Sequence, residues 1–355
     1  MKVNQSFIAE KLSLSVATIS KSLRNDPEIH PETRAQVVAL AARLGYRTPA
    51  SRPERMRARD RQQVPSYCLL LQSDTRLDDS PHEQDPLRDA QLVMAGVSEA
   101  CHTADAMVSI HYVPLRDLNS FHKPEFQPVA LREGFLSGVV LYHYYPPAIV
   151  EALSRQVPVV DVSRSSINDP VDSVDCDSSH SMSQVVRHLA ALGHRRIGYL
   201  SAFTNHGWHQ DRFGAFVQTM LSLGLPFDPT IAQANKEDDE SQTDRIVQAT
   251  RDGVTAWVTG SDSIAYAWAR RFRAAGIEVG RDVAMTGFDA FPAPVGFPRL
   301  TSVHVPFTAM GRAAISLLSE RRKDHTLPVR RVSLRGSLIS GESTPSVAAI
   351  EAARR

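Results

Sequence analysis

VNQSFIAEKLSLSVATISKSLRN, residues 3–25, holds two short helical patterns joined by a tight polar turn, Ser13-Leu14-Ser15. The first pattern offers Phe7, Ile8 and Leu12 to a small core, and Ser15 stands where a side-chain oxygen caps the second helix. In that second helix Val16, Ile19 and Leu23 recur at i, i+3 and i+7, which predicts one face buried against the first. Ala17, Ser20, Lys21 and Arg24 fall on the outer face. The arrangement is that of a helix-turn-helix. Its outer face suits a DNA major groove, because a small Ala can touch a thymine methyl while Ser, Lys and Arg hydrogen-bond base edges or phosphates. With Ser15 and Val16 at the helix start, these residues form the candidate DNA-binding set. An ordinary helical hairpin with a solvated basic face would look the same in isolation.

The neighbouring sequence favours the DNA reading. Pro31 and Glu32 open a third helix whose apolar series runs Val37, Leu40, Ala41 and Leu44, with Gly45 placed to end it. The net charge of the 355-residue chain is +1, and it is unevenly spread. Residues 1–61 contain twelve Lys/Arg against six Asp/Glu, so this end carries +6 and the remainder −5. Phosphate binding requires the basic end to be the helix-turn-helix end. The three cysteines, Cys68, Cys101 and Cys176, are far apart and lack the paired spacing of zinc sites or disulfide frameworks. With no apolar signal core at the start, a reducing cytoplasmic setting is expected. No run approaches the ~20 apolar residues of a membrane span.

Arg47 to Pro65, RTPASRPERMRARDRQQVP, has three prolines, six arginines and almost no apolar surface, the composition of a linker. Beyond it strand and helix patterns alternate: YCLLLQ, MVSIHYV, GVVLYHY, VPVVDVS, IGYLSA, AWVTG, VAMTGFD and LTSVHV, separated by helical stretches such as 87–101, 178–192, 211–223, 261–275 and 309–321. Short apolar strands between helices of this length imply parallel sheets covered on both faces. The region is too long for one small doubly wound sheet. Two lobes around a cleft are expected, with ligand beyond the carboxyl ends of the strands.

IAEKLSLSVATISKSLRN followed by PETRAQVVALAARLGY resembles the DNA-binding headpiece of the lactose-repressor/galactose-repressor (LacI/GalR) family of bacterial regulators. The likeness rests above all on S-V-A-T-I-S-K and the later L-G-Y, with Ser13 where the family usually has glycine. VVDVS, HLAALGHRRIGYLSA, DRFGAF, AWVTGSD and GFDA, in that order and spacing, resemble the effector domain of the same family, itself similar to periplasmic sugar-binding proteins. The resemblance implies an all-α three-helix headpiece at 1–48, a hinge at 49–64, and a two-lobed α/β effector and dimerisation domain of the type I periplasmic-binding-protein-like kind at 65–342. Lobe 1 is expected at 65–164 and 306–327, lobe 2 at 165–305 and 328–342, with a tail at 343–355.

The resemblance also assigns roles. The hinge would fold when two chains meet on DNA, with Met56 wedged into the minor groove between Arg52, Arg55 and Arg57 on the phosphates. Asp161 and Asp289, at strand ends, would accept hydrogen bonds from effector hydroxyls, and Arg212 would present a donor fork between them. Ser261 stands where sugar-binding members commonly have asparagine, Asp262 would cap the helix that begins there, and Asp74 and Trp208 could face the cleft. The implied partners are a near-palindromic double-stranded operator, a carbohydrate effector and a second copy of the chain, and no cofactor is expected. Half-sites about one helical turn apart, roughly 34 Å, would be read together. The tail has no leucine heptads, so a coiled-coil tetramer is not expected.

The acidic stretch 74–86 reads as a lid or a mobile loop. HGWH at 206–209 has two histidines without an assured third ligand, short of a metal site, and YHYYPP reads as interdomain packing. Catalysis is not expected, because G-x-S-x-G, G-x-x-x-x-G-K-[ST], G-x-G-x-x-G and H-E-x-x-H are all missing. The expected function is an effector-controlled repressor of transcription. The alternatives are a cytoplasmic solute-binding or sensor protein and a regulator using a non-sugar corepressor. Salt-dependent binding to duplex DNA separates the solute-binding alternative from the regulators.

Overall fold

The computed structural model describes residues 5–23, 26, 29–43, 64–73, 88–163, 170–201, 206–234, 240–353 and 355. Arg24, Met56 and Asp74, most of the hinge and the acidic stretch lie outside these residues. The chain divides into two units, Met1–Gln63 and Val64–Arg355.

In the first unit α1 (Gln5–Leu12), α2 (Val16–Leu23) and α3 (Pro31–Arg43) close on a small core of Ile8, Ala9, Ile19, Val37 and Ala41. Leu12, Leu14, Leu23 and Leu40 pack against it. Ser13 ends α1 in the left-handed region, at φ 52°, and the Leu14 N–H returns to the Ala9 carbonyl at 3.0 Å. Ser15 caps α2, its Oγ accepting the Thr18 N–H at 3.0 Å. Contrary to the periodic reading, Val16 is 45% exposed. It is the first residue of α2, and one turn later Ile19 and Ser22 occupy the buried face instead.

The second unit contains two six-stranded sheets among the described residues. The first comprises β1 (Ser66–Ser73), β2 (Met107–Pro114), β3 (Gly138–Tyr142), β4 (Val159–Val162), β5 (Asp172–Cys176) and β11 (Arg331–Leu334). Its order is β11-β5-β4-β3-β1-β2, and every pairing is parallel. The second comprises β6 (Ile197–Ser201), β7 (Ala232–Ala234), β8 (Ala256–Thr259), β9 (Ala284–Phe288), β10 (Thr301–His304) and β12 (Ser337–Ile339). Its order is β12-β10-β9-β8-β6-β7, antiparallel only where β12 meets β10. Among the described residues the first helix of this unit is α4 (Arg88–Thr103), followed by one turn, α5 (Val129–Arg132), and α6 (Pro147–Ser154). In the second lobe α7 (Ser178–Ala191) and α8 (Gly207–Ser222) cover one face of the sheet, and α9 (Glu240–Arg251) and α10 (Asp262–Ala274) the other. α11 (Phe307–Lys323) returns to the first sheet beside α4, and α12 (Val347–Ala353) ends the chain.

The lobe boundaries differ from the sequence expectation at two strands. Residues 172–176 and 331–334 belong to the first sheet, not to lobe 2. DSVDC is hard to recognise as a buried strand because two of its five residues are acidic, yet all five are buried. Asp172 is accommodated by a two-pronged pair with Arg321, 2.8 Å at each prong, and by the Arg330 N–H at 2.8 Å. Asp175 is met by Arg331 Nε at 3.1 Å.

The chain therefore passes between lobes at residue 177, at 305–306 and at 335–336. The helices α4 and α11 touch at their backbones: a Cβ on Gly96 would stand 1.9 Å from the Thr308 carbonyl oxygen, and one on Gly311 2.3 Å from that of Val93. Nor is the tail free of the domain. The Ser343 hydroxyl donates to the Met285 carbonyl, His194 Nε2 meets the Pro345 carbonyl at 2.9 Å, and Ile350 is buried.

A candidate effector cleft at the strand ends

Non-glycine residues in the left-handed region gather at the carboxyl ends of strands. His143 follows β3 at φ 73°, Ser163 follows β4 at 66°, and Asp289 and Ala290 follow β9 at 111° and 56°. Each such conformation costs energy, and strain of this kind concentrates at binding sites. In a parallel sheet these ends are also where ligands bind.

Arg212, on the second turn of α8, is buried and lies between two rings. Its guanidinium carbon is 4.6 Å from the centre of Trp208 and 4.3 Å from that of Phe288. Nη1 donates to the Gly260 carbonyl at 2.5 Å, while the buried Nε has no partner. The trio assembles because Trp208 and Arg212, four residues apart, share one helix face and Phe288 ends the adjoining strand β9.

Asp289 lies beside this cation. Burial pushes its carboxyl well above the usual range, Arg212 opposes the shift, and Asp262 and Asp89 add to it. Asp262 is fully buried, with Oδ1 accepting the Ser302 hydroxyl and Oδ2 the Phe291 N–H, both at 2.7 Å. Burial raises it to about 7, against the pull of those donors and of Arg212. Gly287 leaves the space Asp262 occupies, for a Cβ there would stand 2.0 Å from Oδ1.

The cap of α10 falls one residue earlier than the sequence reading placed it. Ser261 is the cap of α10, its Oγ accepting the Ile264 N–H at 3.4 Å, whereas Asp262 is the first helical residue and fastens the turn after β9. Asp161 is not gathered with Arg212. It is fully buried on the face of β4 shared with Val159 and near Tyr145, because Val160 and Val162 take the alternate positions toward the other layer.

No sequence pattern singles out the lobe 1 wall. Asp89, in the first turn of α4, accepts the Tyr142 hydroxyl at 2.7 Å and lies 3.8 Å from His143 Nε2. Burial works against its charge, yet His143, Tyr142 and the Ala90 N–H together hold the carboxyl below its ordinary value. Tyr142 in turn lies within the electrostatic reach of Asp289 and Arg212, so the two walls face one another. Aromatic contacts bridge the lobes. Tyr144 stacks on His206 with ring centres 5.1 Å apart, and the Arg88 guanidinium lies 5.6 Å from the Phe291 ring centre. YHYYPP thus supplies cleft residues, including Tyr142, rather than packing alone.

Burial first, then neighbouring positive charge, lowers both His206 and His209 to about 4, so their rings are neutral near pH 7. Among the described residues no group of three His, Cys, Asp or Glu is placed to hold a metal. The three cysteines are buried and unbridged. A separate hollow of about 330 Å³, lined by Thr250, Arg251, Gly276, Ile277, Arg281 and Asp282, lies near the amino ends of β8 and β9, away from the cleft. No helix among the described residues is long and apolar enough to cross a membrane.

Paired sheets, strained strand ends and a polar, aromatic-walled cleft define a two-lobed ligand-binding domain on a chain that also carries a helix-turn-helix unit. Residues 186–344 match the family model of the periplasmic binding protein-like domain. Over 95% of its length the chain is 26% identical to the HTH-type transcriptional repressor MelR of Bacillus subtilis, 96% of which is covered. Its fold is similar to the lac repressor dimer bound to operator and the anti-inducer ONPF, with TM-score 0.64 and 19% identity over 97% of this chain and all of that one. It is also similar to the transcriptional regulator CelR–cellobiose complex, with TM-score 0.61 and 21% identity over 96% of this chain and all of that one. Over nearly its whole length the chain is thus similar to HTH-type transcriptional regulators, in line with the resemblance to the LacI/GalR family carried by its sequence motifs.

Proposed function

We propose that the chain is a sequence-specific DNA-binding repressor of transcription whose operator affinity is set by a carbohydrate held between its lobes. The observation that carries the DNA half is the exposure of Ser15, Val16 and Ala17 together at the start of α2, where the second helix of a helix-turn-helix meets base edges. Ser20 and Lys21 are half-buried one turn on. The relative named a repressor and the neighbour bound to operator support the same reading.

For the effector, Arg212 and the acids Asp89 and Asp289 offer donors and acceptors suited to hydroxyls, and the partly exposed Trp208 and Phe291 offer ring faces for sugar carbons. The cellobiose bound to the CelR neighbour makes sugars the first class to try. Met56, Arg24 and Asp74 keep their proposed roles from the sequence alone. Control requires differential affinity: the sugar must prefer one lobe arrangement, and that arrangement must differ in its grip on DNA. A homodimer reading a near-palindromic operator completes the proposal. The exposed apolar margin of the edge strand β2, Met107, Ile110 and Tyr112, supports pairing of two copies.

The test is selection of bound duplexes from random DNA, then salt titration of the winners and a thermal-shift panel of mono- and disaccharides. A preferred near-palindrome whose binding weakens with salt, and a sugar that raises the melting temperature and changes operator affinity, are expected. Equal binding to all duplexes would overturn the regulator and leave a solute-binding protein.

A further inference from the structure

We propose that Arg331 latches the two lobes together by holding α8, the helix that presents Trp208 and Arg212 to the cleft. Arg331 opens β11 and is fastened to lobe 1. Its Nε donates to Asp175 of β5 at 3.1 Å, and its strand pairs with β5 in register. One residue earlier, the Arg330 N–H meets Asp172, which Arg321 of α11 also grips. These bonds fix β11 to the first sheet.

From that anchorage the other arm of the Arg331 fork, Nη2, reaches Asp211 of α8. Asp211 belongs to lobe 2, and the next residue is Arg212. One guanidinium thus ties a buried carboxylate in one lobe to the arginine-bearing helix of the other. It lies close to the crossing at 335–336, where a bond of modest strength resists rotation of one lobe on the other. The Arg331 side chain is 41% exposed and that of Asp211 23%, so salt can reach the pair. Neither residue has been assigned a place against DNA or effector. The latch is a property of the lobe pair and stands or falls independently of what the cleft binds.

Tryptophan fluorescence provides a readout that needs neither sugar nor operator. Trp257 and Trp268 are buried at 0% and 2% exposure, so acrylamide quenching of the full chain reports Trp208, which is partly exposed on α8. In the unaltered protein the quenching constant is expected to rise as sodium chloride screens the pair. Asp211→Asn should begin at the raised level and lose most of that salt response, since a partly exposed ion pair shifts a population by roughly two- to fivefold. Asp211→Glu should restore the salt response, and Asp211→Asn combined with Arg331→Lys should go no further than the stronger single change. If Asp211→Asn fails to fold, Arg331→Lys carries the test, because it keeps a positive charge beside Asp175 and loses the fork; it should lie between the unaltered protein and a chain without the latch. An Asp211→Asn chain with unaltered quenching at low salt and an unaltered salt response, or additive effects in the double variant, would overturn the latch.

Discussion

The guanidinium of Arg212 lies 4.3 Å from the ring centre of Phe288 and is closed from the other side by Trp208. A cation held between rings, with Nε buried and lacking a partner, has been taken from water without a carboxylate bonded to it in return. A ligand oxygen in the cleft would supply what it lacks.

Arg212→Ala should therefore lower effector affinity by about 10- to 100-fold, the range of a charged hydrogen bond lost from a buried site. Operator binding should change little. Arg212→Lys should fall between, keeping charge and losing the planar stack. Calorimetric titration with the best sugar of the panel, beside a gel-shift of operator DNA, checks both. Loss of operator binding as well would assign Arg212 to folding.

Lys21→Ala should weaken binding to every duplex and lower the slope of log affinity against log salt by about one, the signature of one phosphate contact removed. A slope identical to that of the unaltered chain would place Lys21 away from the backbone.

Asp262 titrates near 7 in the folded chain, above its ordinary 3.8. A raised acid binds its proton more tightly when folded, so its contribution to stability is full below about 4 and is lost as pH rises through about 7. Asp262→Asn cannot charge. Its stability relative to the unaltered protein should improve between pH 5 and pH 8, read as a difference in melting temperature. A difference constant over that span refutes the assignment.

Ser13 pays for its left-handed φ of 52° in Cβ crowding. Ser13→Gly should stabilise the headpiece by about 1 kcal/mol, seen as a higher midpoint for its transition in calorimetry. Ser15→Ala should cost about 1 kcal/mol by removing the cap on the Thr18 N–H.

The alternation of strands and helices and the three-helix start are legible in the sequence because apolar periodicity reports burial directly. What escapes it has other causes. β5 hides behind Asp172 and Asp175, whose charges are answered by arginines some 150 residues away in sequence. Asp89 has no local mark, for its importance comes from Tyr142 and from the opposite wall. Ser261 and Asp262 both stand out in the sequence, but a cap and a buried tether use the same residue types, and only the path of the turn through Phe291 tells them apart. Asp161 is misplaced by a single step of strand alternation.

The outermost strands β11 and β12, at 331–334 and 337–339, come from the same late stretch of chain, one for each sheet. During synthesis both sheets therefore keep an open edge until residues 331–339 have left the ribosome. A nascent chain halted before residue 331 would lack an edge strand of both sheets at once.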